Sequence, residues 1–202
     1  GNILLGNENI TFMPEHKRAA FIGRIFQDPM KGTAPNLTVG ENLIIAYMRS
    51  IKKNILSLPS QKEKRYIKEH LAALNLGLEK RMNTKIGLLS GGQRQAVTLI
   101  MATLIKPRLL LLDEHTAALD PLSADTVLEL TNKIVSENNI TTLMITHNIS
   151  SALTMGTRTI VMDSGNVALD ISGNERKKLS VNDVLNELSS IKNKIIDDEF
   201  LL

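Results

Sequence analysis

Leu109-Leu110-Leu111-Leu112-Asp113-Glu114 is a run of four leucines that stops at two carboxylates. Four consecutive apolar residues leave no polar face, so the run reads as a central strand buried on both faces, as in a parallel sheet. Upstream, Pro107 closes a helix predicted over residues 93–105. Downstream, Asp120-Pro121 supplies an N-cap and a first-turn proline for a helix that runs to about Asn138. Ile140 to Thr146 forms the next strand, closed by His147. Helices and strands that alternate in this way give an α/β chain, with crossover helices packed on a parallel sheet.

The regions on either side read differently. Residues 2–27 break into short strands: Ile3 to Leu5, a Gly6-Asn7 turn, a second strand through Ile10 and Phe12, and Phe21 to Phe26 running into Gln27. From Thr38 to about Leu78 the period becomes helical. Leu43, Ile44, Tyr47, Met48 and Ile51 share one face, and Ser60-Gln61-Lys62-Glu63 is a capping box for a second helix. That helix turns Ile67, Leu71 and Leu74 inward and is expected to end near Gly77. Beyond His147 a short helix precedes a hairpin of Arg158 to Met162 and Val167 to Leu169 about Ser164-Gly165-Asn166. The charged tail from Asn174 reads as a peripheral appendage.

Bulk composition narrows the function classes. A chain of 202 residues, 43% of them hydrophobic, can bury a substantial core, and it holds no cysteine for disulfides or thiolate metal sites. Its 24 basic and 21 acidic residues are interspersed and aromatics make up only 3%, which argues against a nucleic-acid protein. The longest apolar stretches fall well short of the ~20 residues a bilayer span needs. The opening Gly1-Asn2-Ile3-Leu4-Leu5 has neither the basic region nor the cleavage site of a signal peptide.

Four polar features sit where strands end or helices begin, the positions at which open α/β sheets bind ligands. Asp113 and Glu114 end the leucine strand; the first of such a pair can hold Mg²⁺ through water and the second can take a proton from an attacking water. Gln27 ends an earlier strand and His147 a later one. Leu89-Ser90-Gly91-Gly92-Gln93 joins two adjacent glycines to a helix N-terminus, a combination that lets a backbone approach a phosphate. Each feature has a plainer reading, as an acidic loop start, a polar strand end, a hydrogen-bonded histidine or an ordinary turn. Their order along the chain favours the chemical one. The phosphate-cradling G-x-x-x-x-G-K-[ST] loop is missing, since none of the twelve glycines is followed by lysine.

In that order the residues resemble the ATP-binding cassette (ABC) family of transport ATPases. Gln27 is similar to the family's Q-loop, Leu89 to Gln93 to its signature motif, Leu109 to Glu114 to its Walker B strand, Ala118-Leu119-Asp120 to its D-loop, and Thr146-His147 to its H-loop. The resemblance implies a P-loop NTPase-like core with a helical insertion, lacking the N-terminal strands and the Walker A loop, which would lie upstream of Gly1. It divides the chain into 1–37 with the Q-loop, a helical subdomain at 38–89, a core at 90–173 and a tail at 174–202. It further implies ATP and Mg²⁺ as ligands, with Asp113 and Gln27 on the metal, Glu114 as general base and His147 on the γ-phosphate. Ser90, Gly91, Gly92 and Gln93 would meet ATP held by a second cassette in a head-to-tail dimer. His115 departs from the family's usual proline after the base.

The compact insertion between Gln27 and Ser90 suits a transporter cassette, because chromosome-handling cassettes need a long coiled coil there. The wording around Phe26 and Leu112 resembles bacterial uptake systems of the tryptophan or tyrosine type. The implied function is the ATP-hydrolysing subunit of an importer, peripheral on the cytoplasmic face of the membrane and working with separate permease subunits. The alternative is a non-hydrolysing partner that lends its signature loop to another subunit's ATP.

Overall fold

The computed structural model describes residues 1–51, 59–187 and 189, which form two compact units, Gly1–Ile145 and Thr146–Leu202. The first unit is organised by β4 (Leu109–Asp113), a central strand as expected but buried on one face only: Leu110 and Leu112 are buried, and Leu109, Leu111 and Asp113 are half-buried. It lies between β3 (Ile22–Ile25) and β5 (Thr142–Ile145), parallel to both, with Ile25 opposite Leu112 and Asp113 opposite Ile145. Helix α5 (Pro121–Glu137) makes the crossover to β5, and the Asp120 cap and Pro121 first turn start it as the sequence predicts.

α1 (Glu15–Arg18) is a single turn before β3, and between β3 and β4 the described residues include three longer α-helices. α2 (Val39–Ser50) and α3 (Gln61–Ala72) open on the capping boxes Thr38/Glu41 and Ser60/Glu63. The third, α4 (Gly91–Thr103), opens on Ser90/Gln93. Six consecutive residues of α4, Gln95 to Ile100, are buried, so no face of its middle reaches water. Ala96, Val97 and Ile100 pack with Val39, Leu43, Ile67, Leu71, Leu78 and Ile86, whereas Leu99 packs with Ile25, Leu110, Leu112 and Ile140. A fully buried leucine contributes roughly 1.5–3 kcal/mol, so one helix ties the inserted helices to the sheet.

Several sequence-based boundaries shift. The second strand is only β2 (Glu8–Asn9), paired antiparallel with β1 (Leu4–Leu5), and Phe12 is 94% exposed. There the Asn9 side chain accepts hydrogen bonds from both the Thr11 N–H and hydroxyl, a local turn that competes with the ladder. α3 stops at Ala72 because Asn75 turns left-handed at φ 56°, short of Gly77. Ile51, expected on the buried face of α2, caps its end at 38% exposure.

In the second unit, α6 (Ile149–Thr154) precedes the predicted hairpin of β6 (Arg158–Asp163) and β7 (Asn166–Ser172). The tail is less peripheral than the sequence suggests. Arg176, in α7 (Gly173–Arg176), is 8% exposed and donates to the Thr159 hydroxyl and the carbonyls of Ala152 and Met155, and Val184 is 1% exposed. An arginine can be buried in this way because carbonyl groups satisfy its donors. The rest of the tail, 188 and 190–202, lies outside the described residues. Among the described residues no helix is long and apolar enough to cross a membrane.

Candidate functional site

Three of the predicted polar residues come together because the sheet is parallel and in register. β3 and β4 run in the same direction, so Gln27 emerges beyond Ile25 at the same edge at which Asp113 and Glu114 leave β4. Gln27 is exposed there, and Asp113 and Glu114 are half-buried.

Arg24 Nη2 donates to Asp113 Oδ2 at 3.3 Å, and the guanidinium also lies over the Phe26 ring, 4.5 Å from its centroid. The pair is about half exposed, with side-chain exposures of 50% and 42%, so it contributes no more than about 1 kcal/mol and can open when a stronger cation competes. Among the described residues no group of three or more His, Cys, Asp or Glu side chains is placed to hold a metal ion. A single carboxylate fits Mg²⁺ well enough, since that ion takes one or two carboxylates and fills its shell with water and phosphate oxygens.

Glu114 adopts φ 43°, a left-handed conformation that costs a residue with a Cβ about 1–3 kcal/mol. Its N–H donates to the Ile145 carbonyl at 3.0 Å, and its own carbonyl accepts from the Ala117 N–H at 2.9 Å. The turn points the chain away from β4 directly after the acid pair. His115 follows, 2% exposed, with Nε2 3.2 Å from Thr131 Oγ1 on α5. Burial pushes its imidazole down to about 4.

The second cluster gathers at the start of α4. Ser90 Oγ accepts from the Gln93 N–H at 3.3 Å, and Gln93 Oε1 accepts from the Ser90 N–H at 3.4 Å and from Arg81 Nη1 at 2.9 Å. Arg94 donates to the carbonyls of Ile86, Gly87 and Leu89, fixing the turn that leads into the helix. Ser90 and Gly91 are exposed at the N-terminus of a helix of 13 residues, whose unpaired N–H groups suit an anion.

The glycine pair has a packing role that the sequence does not reveal. A Cβ at Gly91 would stand 3.1 Å from Leu119 Cδ2, and one at Gly92 would stand 2.8 Å from Ser123 Cβ. The turn that opens α4 thus packs on the segment that starts α5. Asp120 caps that helix by accepting from the Ser123 N–H at 3.0 Å, and the hydrogen bonds of Ser123 hold its carboxyl below the usual carboxylate range.

His147 belongs to the second unit, next to the α6 cap, where Asn148 Oδ1 accepts from the Ser151 N–H. Arg24, Arg81, Arg94 and the buried Gln95 escaped sequence reasoning. Gln95 Nε2 donates to the Phe26 carbonyl at 3.4 Å, reaching from α4 to the residue before Gln27. Only the polar Gln95 inside an apolar helical run signals such a role in the sequence.

Residues 1–117 match the family model for ABC transporters. The tyrosine transport ATP-binding protein of Clostridioides difficile is 46% identical over 186 residues, 92% of this chain and 73% of that protein. The spermidine/putrescine import ATP-binding protein PotA of Mycoplasma capricolum is 35% identical over 167 residues, and this chain spans 44% of its length. Among solved structures, an ATP-binding cassette captured as a dimer in a post-hydrolysis state with ADP and Pi superposes with a TM-score of 0.69. It is 27% identical, over 85% of this chain and 73% of that one.

Proposed function

The chain belongs to the ABC transporter family, as an ATP-hydrolysing subunit of the uptake type, and on that premise we propose that Glu114 is the general base of ATP hydrolysis. The observation that carries the proposal is the shared edge of the parallel sheet, where Gln27, Asp113 and Glu114 emerge together. A carboxylate at that edge can take the proton of a water as it attacks the γ-phosphate. Asp113 is the carboxylate for Mg²⁺, with Arg24 as its counter-ion when no metal competes. Bound there, Mg²⁺ neutralises charge that develops on the phosphates. Gln27 orients metal and water and links them to the helical subdomain, 38–89. His147 contacts the γ-phosphate.

Ser90, Gly91, Gly92 and Gln93 act on a second cassette in a head-to-tail dimer, offering the α4 N-terminus to its ATP. Asp120 stands behind them as the cap of α5. This chain alone binds ATP weakly, because none of its glycines precedes a lysine that could cradle phosphates.

The partners that transmit the work are permease subunits. A cavity of about 200 Å³, whose lining includes Phe26, the residue before Gln27, with Pro29, Ala34, Asn42, Ile45 and Arg49, suits a segment of such a subunit. The chain would then sit on the inner face of the membrane. The tyrosine transporter relative supports an aromatic amino acid as solute.

Glu114→Gln in the native gene product tests the base. Turnover is expected to fall roughly 10²-fold or more with ATP binding retained. Turnover near the parental rate would remove Glu114 from that role.

A further inference from the structure

His115 and Thr131 form a buried polar pair behind the acid site, at 2% and 1% exposure, that no step of hydrolysis uses. The hydroxyl of Thr131 is 2.7 Å from the Val127 carbonyl as well as 3.2 Å from His115 Nε2. A hydroxyl has one proton and a carbonyl can only accept, so that proton goes to Val127. Thr131 Oγ1 therefore meets the ring as an acceptor, and Nε2 must carry the hydrogen. The tautomer of a buried histidine is fixed by its partners in this way.

We propose that His115 is a positioning residue for Glu114: the bond from its Nε2–H to Thr131 anchors the left-handed turn of the base to α5. The inference rests on the reading of Glu114 as general base. A residue with a Cβ keeps a positive φ only where its surroundings over-determine it. Two backbone bonds hold Glu114 from the β5 side and from within the turn. The His115 side chain adds a tie to a different element, α5, whose N-terminus also carries the packing surface for the signature glycines. Base and signature turn are in this way referred to one helix.

Imidazole ¹⁵N spectra of the chain at pH 7.5 test the geometry without any substitution. His115 is expected as the neutral Nε2–H tautomer; the Nδ1–H tautomer would overturn the proposal. Thr131→Val keeps the shape and removes the acceptor. It is expected to move the His115 ring signals and to speed amide exchange at Glu114 at least tenfold, and Thr131→Ser is expected to restore both. In the native gene product Thr131→Val should lower kcat severalfold with KM for ATP unchanged, again rescued by serine. If Glu114→Gln stops turnover but Thr131→Val leaves Glu114 exchange and kcat at parental values, the positioning role fails and the base reading stands. If Glu114→Gln leaves turnover intact, the base reading itself fails.

Discussion

Gly92 of α4 packs directly on Ser123 of α5, so closely that a Cβ at Gly92 would stand 2.8 Å from the Ser123 Cβ. The contact joins the signature turn to the segment that follows the acid pair. Alanine at 92 must push a side-chain stem, with no flexible tip to yield. Gly92→Ala is therefore expected to cost about 1–3 kcal/mol in urea unfolding. Ser123→Gly in the same chain should return a good part of that loss, and a double-mutant cycle with coupling near zero would refute the contact.

The buried His115 makes stability depend on pH. Its folded-state value lies near 4, below the ordinary 6.5, because burial penalises the charged ring. In that interval the unfolded chain binds more protons, so the contribution is complete above pH 6.5 and is lost as pH falls through 4. The loss should approach about 3 kcal/mol, and His115→Phe should flatten this part of the curve. A parental profile flat between pH 7 and 4.5 would contradict the burial.

Arg24 and Asp113 should separate cheaply. Arg24→Met is expected to change unfolding free energy by less than about 1 kcal/mol, since the pair is half exposed. In the native gene product the same substitution should lower the Mg²⁺ concentration needed for half-maximal turnover, because the metal no longer competes with a guanidinium. An unchanged Mg²⁺ requirement would show that Arg24 does not guard Asp113.

Much of this was legible in the sequence because it was local. The four leucines announce β4, Asp120-Pro121 announces α5, the helical period from Leu43 announces α2, and the capping box at Ser60 announces α3. The acid pair could be read because an apolar strand must end before charges can be hydrated. What escaped depends on distant pairs. Nothing near Arg24 names Asp113, nothing near Arg81 names Gln93, and the glycine pair looks the same whether a phosphate or Ser123 fills the space. Phe12 failed as a strand residue because Asn9 and Thr11 satisfy one another locally. The start of the tail is anchored because Arg176 finds its acceptors on α6 and β6.

The most direct test of the account is single-turnover ATP hydrolysis by the native gene product carrying Glu114→Gln. With ATP binding at the parental level, hydrolysis should slow roughly 10²-fold or more. Hydrolysis within a few-fold of the parental rate would contradict the assignment of Glu114 as the base.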